Sequence, residues 1–506
     1  MLNKVETASL SGVEGYPVTV ETDLRKGMPE FAIVGLADTT IRESCKRTKP
    51  AIENSGFRFP VEKLTVNLMP AARPKEGSHF DLPIALGIVS LMENIEIPED
   101  MAFFGELSLD GHINPIRGAL PMTLCLRQRG IRRVILPESN AAEAAALKDI
   151  CVFGANSLEE VVDHLLGKKS LQLYKPAGGV YESSAGLDYD QVLGQESVKR
   201  AMVIGAAGNH GMLMMGSPGC GKTMIARRLP TILPPMSYDE QLEVTGIYSI
   251  AGMLPPGCSV IRDRPFRSPH HSITYAGLIG GGQKPRPGEL SLAHRGVLFL
   301  DELGEFDGKV IDCLRQPVEE GQIRIRRNSE EIIFPSKVMV VVASNPCKCG
   351  NLWDTKRLCT CTSRQIQSHR RRLMGPFTDR IDMHIKMMPV EKETIASLRM
   401  ENTGMSSEEM RNQVLKVREI QTERYMGTPY LCNGGLDEKG ISRYCPLDEA
   451  SVNIMTGAYD RLGLSMRGFH KIVKLARTIA DLEGSENIES QHIAEALTYR
   501  TIEREE

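Results

Sequence analysis

Two periods of apolar and polar residues alternate along this chain, and the places where one gives way to the other mark its organisation. Between residues 18 and 166, short β-rich runs at 18–21, 31–34, 64–68, 134–136 and 150–153 alternate with amphipathic stretches. That succession predicts an α/β domain. Thr40 with Glu43 and Ser157 with Glu160 have capping-box spacing at two helix starts. Residues 107–113 read as a hairpin turning at Asp110-Gly111, a pair that tolerates positive φ. From Ser406, spaced to cap with Glu409, only the helical period remains, at 407–425, 447–462, 466–483 and 489–500, with stops at Gly427, Gly463 and Gly484.

Between these regions, 212–215 and 297–300 are continuous apolar runs, the pattern of central parallel strands buried on both faces, and 337–343 is a third strand of the same kind. A helix of apolar period is predicted directly before the first strand, at 190–208, and another after it, at 224–229. The stretch 171–187 carries Pro176, Gly178, Gly179, Ser183, Ser184 and Gly186 with little periodicity, which suits a flexible join. The predicted domains are therefore 1–168, a linker at 169–189, a second α/β core at 190–390 and a helical region at 391–506.

Composition narrows the class. A chain of 506 residues with 41% hydrophobic residues can bury a core in each of these domains. The net charge of −3 gives no global basic field, so any nucleic-acid contact falls to a local patch. Residues 1–12 have neither a basic nor an apolar leader pattern, and no apolar run approaches the roughly 20 residues of a membrane span. The expectation is a cytoplasmic protein without a membrane partner. Most of the 12 cysteines, among them Cys45, Cys125, Cys151 and Cys313, stand singly in apolar surroundings and read as buried thiols.

The candidate chemistry starts at Gly216-Ser217-Pro218-Gly219-Cys220-Gly221-Lys222-Thr223, a P-loop between a predicted strand and a predicted helix. Its glycines let backbone N–H groups converge on a nucleotide triphosphate at the positive end of the helix. Lys222 then neutralises the β and γ phosphates, and the Thr223 hydroxyl ligates Mg²⁺. Asp301-Glu302 closes the 297–300 strand, the position of a Walker B pair: Asp301 for the Mg²⁺ shell, Glu302 to orient and polarise the attacking water. Asn345, after the third strand, is the sensor candidate between that water and the γ-phosphate.

Cys347-Lys348-Cys349 and Cys359-Thr360-Cys361 form a second candidate site on a short insertion, 347–361. Four thiols in two close pairs can satisfy a tetrahedral, structural Zn²⁺; free or redox-active thiols are the other reading of this spacing. Lys348, Lys356, Arg357, Arg364, Arg370, Arg371 and Arg372 surround them as a local basic patch, either a nucleic-acid contact or a solvated face.

Several segments resemble known families. Pro74-Lys75-Glu76-Gly77-Ser78-His79 and Gly105-Glu106-Leu107-Ser108-Leu109-Asp110-Gly111, followed by Pro115-Ile116, resemble the proteolytic domain of Lon, whose activity rests on a Ser and Lys dyad. Aligned residue by residue, the serine position holds His79 and the lysine position Leu120. Ser78 lacks a lysine base, so the resemblance implies the fold without protease activity. The 190–208 helix resembles the entry helix of AAA+ ATPases. The Gly- and Pro-rich text at 264–271 and 276–282, with 287–303, closely resembles the magnesium-chelatase-like branch of AAA+ proteins, which has an insertion in helix 2 and a hairpin before sensor 1. Ile323-Arg324-Ile325-Arg326-Arg327 reads as one strand of that hairpin, with apolar and basic faces. His270 and His271 read as a loop or pore pair rather than a metal site, since adjacent side chains are expected to diverge.

Gly375-Pro376-Phe377-Thr378-Asp379-Arg380-Ile381-Asp382 resembles the segment that supplies an arginine finger to a neighbouring subunit, which implies that Arg380 acts in trans and that the chain forms a ring. Ser465-Met466-Arg467 resembles sensor 2, which implies Arg467 on the nucleotide and a lid whose closure moves it. With the four-cysteine insertion and Ala476-Arg477-Thr478-Ile479-Ala480-Asp481-Leu482, nearly the whole chain resembles the ComM/YifB family. That resemblance implies an AAA+ P-loop core, a Lon-protease-like α/β N-terminal domain and an all-α C-terminal lid. It implies a homo-hexameric ATPase using ATP and Mg²⁺, a branch-migration helicase acting on branched or single-stranded DNA in recombination and natural transformation. A protein-remodelling chaperone and a metal-chelatase-type motor subunit are the alternative uses of the same engine.

Overall fold

The computed structural model describes residues 2–175, 180–181, 186–282, 285–327, 330–354, 357–373, 375–389 and 404–500. The N-terminal unit is built from β1 (Leu2–Ser11), β2 (Glu14–Arg25), β3 (Glu30–Val34), β4 (Lys63–Met69), β5 (Met101–Phe103), β6 (Arg133–Pro137) and β7 (Cys151–Ala155). Among the described residues they form one sheet in the order β3-β4-β2-β1-β5-β6-β7. β1 and β2 pair antiparallel, and β5, β6 and β7 follow β1 in parallel. β1 lies outside the predicted runs because its buried positions include Thr7 and Ser9 beside Val5 and Ala8, so burial there does not follow hydropathy. The hairpin at Asp110-Gly111 forms as expected, with Glu106–Leu107 against Ile113–Asn114.

The helix starts refine two of the predicted caps. α1 (Thr39–Asn54) is capped by Asp38, whose carboxylate accepts from the Ile41 N–H at 2.8 Å, not by Thr40. Ser157 does cap helix Leu158–Leu165, but Glu160 returns its carboxylate to the Asn156 N–H. α2 (Asp81–Glu93) is buried over most of its surface, and its Asp81 pairs with Arg47 at 2.9 Å.

The second unit carries β8 (Met212–Gly216), β9 (Phe266–Arg267), β10 (Val297–Leu300), a hairpin of β11 (Gln322–Arg327) and β12 (Glu330–Pro335), β13 (Met339–Ser344) and β14 (Met383–Met387). Its parallel sheet runs β9-β10-β13-β8-β14. Both faces are covered: Met212, Met214 and Val341 join one core, Leu213, Met215 and Val342 another, which is why these strands read as continuous apolar runs.

The entry helix, α4 (Glu196–Gly208), starts later than predicted, because Gly194 and Gln195 are left-handed at φ 64° and 60°. Tyr189, assigned to the linker by its sequence, is fully buried in the core of the second unit and donates to the Ile225 carbonyl at 2.9 Å. Within the join, Val180–Tyr181 pairs with Val260–Ile261; Pro176, Gly178, Gly179, Ser183 and Ser184 lie outside the described residues.

α3 (Ala119–Gln128) belongs to the N-terminal unit, and α5 (Lys222–Ile232) follows the P-loop. The segment after α5, in which no helix is predicted, contains α6 (Tyr238–Ala251), started by a complete capping box of Ser237 and Glu240. α6 docks on the N-terminal unit: Leu242 joins Leu120 and Leu147 in one small core, and the Tyr238 hydroxyl donates to the Ala146 carbonyl at 2.6 Å. At a second contact, Val13 between β1 and β2 packs with Ile325 and Ile332 of the β11–β12 hairpin.

α7 (Ser363–Leu373) follows the cysteine insertion, and the carboxyl-terminal region is helical: α8 (Ser407–Arg424), α9 (Glu449–Leu462), α10 (Met466–Glu483) and α11 (Ser490–Thr498). Arg424 and Arg477 converge on the buried Asp481, tying α8 to α10. Among the described residues no helix is long and apolar enough to cross a membrane.

Candidate nucleotide-binding site

The P-loop begins at Gly216, the last residue of the fully buried β8, and ends where α5 starts. Gly219 and Gly221 are left-handed, at φ 82° and 95°, and no atom crowds them, so backbone conformation alone calls for glycine there. The buried hydroxyl of Ser217 has no hydrogen-bond partner among the described residues. Lys222 Nζ donates to the Gly216 carbonyl at 2.6 Å, the Ser217 carbonyl at 3.1 Å and Asn345 Oδ1 at 3.1 Å. Burial holds the Lys222 ammonium below the ordinary lysine range. An orphaned hydroxyl and a partly desolvated ammonium in a glycine loop at a helix N-terminus fit a phosphate group.

Thr223 Oγ1 donates to Asp301 Oδ2 at 2.8 Å, so the two side chains expected to share Mg²⁺ already touch. Glu302 follows at φ 54°, a left-handed backbone that a non-glycine residue adopts only under constraint, and its N–H donates to Asp301 Oδ1 at 3.0 Å. The Asn345 carbonyl accepts from His369 Nε2 on α7 at 3.0 Å. His369 carries no signal in the sequence beyond its place in a basic run. Cys220 is buried, and burial pushes its thiol up, so it is an inert neighbour of Lys222.

Arg380 and Arg467 are brought together, but not at this loop. They share a cleft with Gly211, Gly296 and Asp382, at the ends of the strands opposite the P-loop. Arg380 Nε lies 2.8 Å from Glu319 Oε1, and Arg467 Nη2 lies 3.9 Å from the same oxygen. Lys471, one turn along α10, donates to the Asp379 carbonyl at 2.6 Å and pairs with Asp382 at 3.5 Å. Arg467, expected on the nucleotide, lies within this chain beside Arg380, and Lys471 pins the start of α10 to the amino-terminal edge of the sheet.

The four cysteines of the insertion do converge, with every pair of sulfurs within 4.8 Å. Cys347 and Cys349 are 3.4 Å apart, Cys349 and Cys359 3.5 Å, Cys347 and Cys359 3.7 Å, and none is disulfide-bonded. A tetrahedral zinc with bonds of about 2.3 Å sets its sulfurs nearly 4 Å apart, so the donor set fits. Backbone N–H groups of Asn351 and Thr360 bring the Cys349 thiol down to about 5, whereas burial pushes Cys347 up to about 12. Thiols this close cannot all ionise without a cation.

Comparison with known proteins bears on the whole chain. Residues 188–395 match the family model for magnesium chelatase, subunit ChlI, residues 404–500 the model for its C-terminal part, and residues 20–140 the model for subunit ChlI of Mg-chelatase. The competence protein ComM of Haemophilus influenzae is 39% identical over 499 residues, which cover 97% of this chain and 96% of that relative. The chain belongs to the ComM/YifB family of magnesium-chelatase-like AAA+ ATPases. The YifB protein of Escherichia coli is 38% identical over 507 residues, covering 99% of this chain and 98% of YifB. The Lon protease of Rhizobium meliloti is 27% identical over 166 residues, 30% of this chain and 21% of that protease.

In this family member the positions matching the Lon dyad are occupied structurally. Ser78 donates to the Glu106 carboxylate. His79 is buried with Nε2 3.0 Å from the Ala8 carbonyl, and burial pushes it down to about 4, so it is neutral. Leu120 lies under α6. Two basic features are also qualified. Arg324 and Arg326 of β11 pair with Glu331 of β12 at 3.9 and 3.3 Å, so that face is not a bare cationic stripe. His270 and His271, expected to diverge, lie with ring centroids 4.0 Å apart and planes tilted by 34°. Around the thiols Lys348, Arg357, Arg364, Arg371 and Arg372 are exposed and Arg370 is half-buried; Lys356 lies outside the described residues.

Proposed function

We propose that this chain is the subunit of a homo-hexameric, ATP-driven DNA motor of the cytoplasm, a branch-migration helicase serving recombination and natural transformation. The observation that carries the ring is the split between two edges of one sheet. Lys222, Thr223, Asp301, Glu302 and Asn345 gather at the carboxyl-terminal edge, while Arg380 and Arg467 gather at the other. Each half is incomplete alone, and head-to-tail packing of identical subunits joins the arginine edge of one to the phosphate edge of the next.

In this reading ATP occupies the loop from Gly216 to Thr223, and Thr223 and Asp301 would hold Mg²⁺, which would supply positive charge against the β and γ phosphates. Glu302 takes the water's proton, Asn345 orients the water, and both arginines act in trans on the developing charge. Cys347, Cys349, Cys359 and Cys361 hold a structural Zn²⁺. DNA contact falls to the exposed cations around the thiols and to the β11–β12 hairpin, where Arg324 and Arg326 exchange Glu331 for phosphate. The name of the ComM relative refers to competence, which agrees with a DNA substrate.

The test is the ATPase rate with and without forked and four-way DNA, beside Glu302→Gln. DNA should stimulate hydrolysis, with affinity falling steeply as salt rises. If neither DNA form binds at modest salt or changes the rate, the helicase reading is dropped, and stimulation by unfolded polypeptide would then support the chaperone alternative.

A further inference from the structure

We infer that the four-thiol metal centre positions the nucleotide site, rather than only folding its own loop. The inference rests on the zinc reading given above. The insertion touches three catalytic motifs. Cys347 follows Asn345 with only Pro346 between them, so the first thiol is tied covalently to the sensor asparagine. Gly350, inside the first thiol turn, has φ 82°, and its N–H donates to the Cys347 carbonyl at 3.0 Å. A Cβ built on Gly350 would stand 2.6 Å from Pro218 Cδ and 3.8 Å from Asn345 Cγ, so the backbone of the thiol turn lies directly against the P-loop.

The second pair of thiols leads to the third motif. α7 starts at Ser363, just after Cys361, and its His369 donates to the Asn345 carbonyl at 3.0 Å. His369 also lies beside Gly304, just past Glu302, and Arg372 of α7 donates to the Phe306 carbonyl at 3.1 Å. A cation holding Cys347 and Cys349 to Cys359 and Cys361 therefore fixes the distance between the sensor strand and α7. Without it, the two halves of the insertion are held by weaker contacts such as the Cys349 N–H to Cys361 Sγ bond at 3.4 Å, and the surface on which Pro218 and Asn345 rest is loosened. Soft thiolates in a tetrahedral set favour Zn²⁺. Asn345 shares Lys222 with the P-loop carbonyls, so its displacement disturbs catalysis more than ATP capture.

The experiment measures zinc per chain in protein purified under reducing conditions, then ATPase kinetics and fluorescent-ATP affinity. Wild type, zinc-depleted wild type, Cys359→Ser and Gly350→Ala are compared, each with its circular dichroism spectrum. One zinc per chain is expected. Depletion and Cys359→Ser should lower kcat by about tenfold or more while nucleotide affinity moves by less than about threefold. Gly350→Ala should keep its zinc and still lose kcat, because the added methyl pushes on Pro218; this separates positioning from loss of the fold. Full zinc content with unchanged kcat after depletion overturns the inference and leaves the zinc reading standing. Loss of nucleotide affinity and helix signal together with kcat overturns it in favour of a purely structural site. Absence of zinc refutes the metal reading, and the inference with it.

Discussion

Arg380 and Arg467 converge on one carboxylate, Glu319, at 2.8 and 3.9 Å, on the edge of the sheet opposite the P-loop. Each subunit thus carries a counter-ion for the arginines that, in a ring, it would offer to a neighbour. Reaching a γ-phosphate means exchanging Glu319 for phosphate. Arg380→Ala should lower kcat by about 10³-fold with nucleotide binding intact. Glu319→Gln should change kcat by less than about fivefold, because half-exposed ion pairs contribute at most about 1 kcal/mol. The check on action in trans is mixing: Arg380→Ala and Lys222→Ala chains, each inactive, should regain ATPase activity together, and failure to do so at any ratio would count against a shared site.

Glu302→Gln keeps the shape of the Walker B turn and removes the carboxylate proposed as the base. Hydrolysis should fall by about 10² to 10³-fold, and Mg²⁺-ATP should still bind, since Thr223 and Asp301 are untouched. Single-turnover hydrolysis beside fluorescent-ATP binding distinguishes this from a folding defect.

His79 makes the N-terminal unit acid-sensitive. Its pKa in the folded protein, about 4, lies below its ordinary value of 6.5. Between those values the unfolded chain binds a proton that the folded chain refuses, so stability falls as pH drops through this window and levels off below it. The full effect is about 3 kcal/mol. Urea midpoints from pH 7 to 4 should show this slope, and His79→Gln should flatten it.

Leu120 is sealed against Leu242 of α6, which sets a further expectation for the Lon-like unit. Leu242→Ala should cost about 2 to 3 kcal/mol in urea unfolding and speed proteolytic cleavage between the units. Leu120→Lys should not restore proteolysis of a casein substrate. It buries an ammonium at the apolar contact between units, and its measurable result should be destabilisation.

The chain's local chemistry was legible without a structure. The P-loop from Gly216 to Thr223, the Asp301-Glu302 pair and the strands that carry them announce themselves because neighbouring residues do the work and because burial on both faces leaves a continuous apolar run. The caps at Ser157 and Ser406 and the turn at Gly111 belong to the same class, since each rests on bonds within one turn of chain. Only tertiary structure decided the rest. β1 buries Thr7 and Ser9 because helices far along the chain, α2 and α3, pack on its sheet. Arg467 joins Arg380 because Lys471 holds α10 at that edge. Gly350 meets Pro218, and Leu120 meets Leu242, across more than a hundred residues of sequence. Contacts of that span depend on how whole elements pack, and packing of distant elements leaves no periodic trace in either segment.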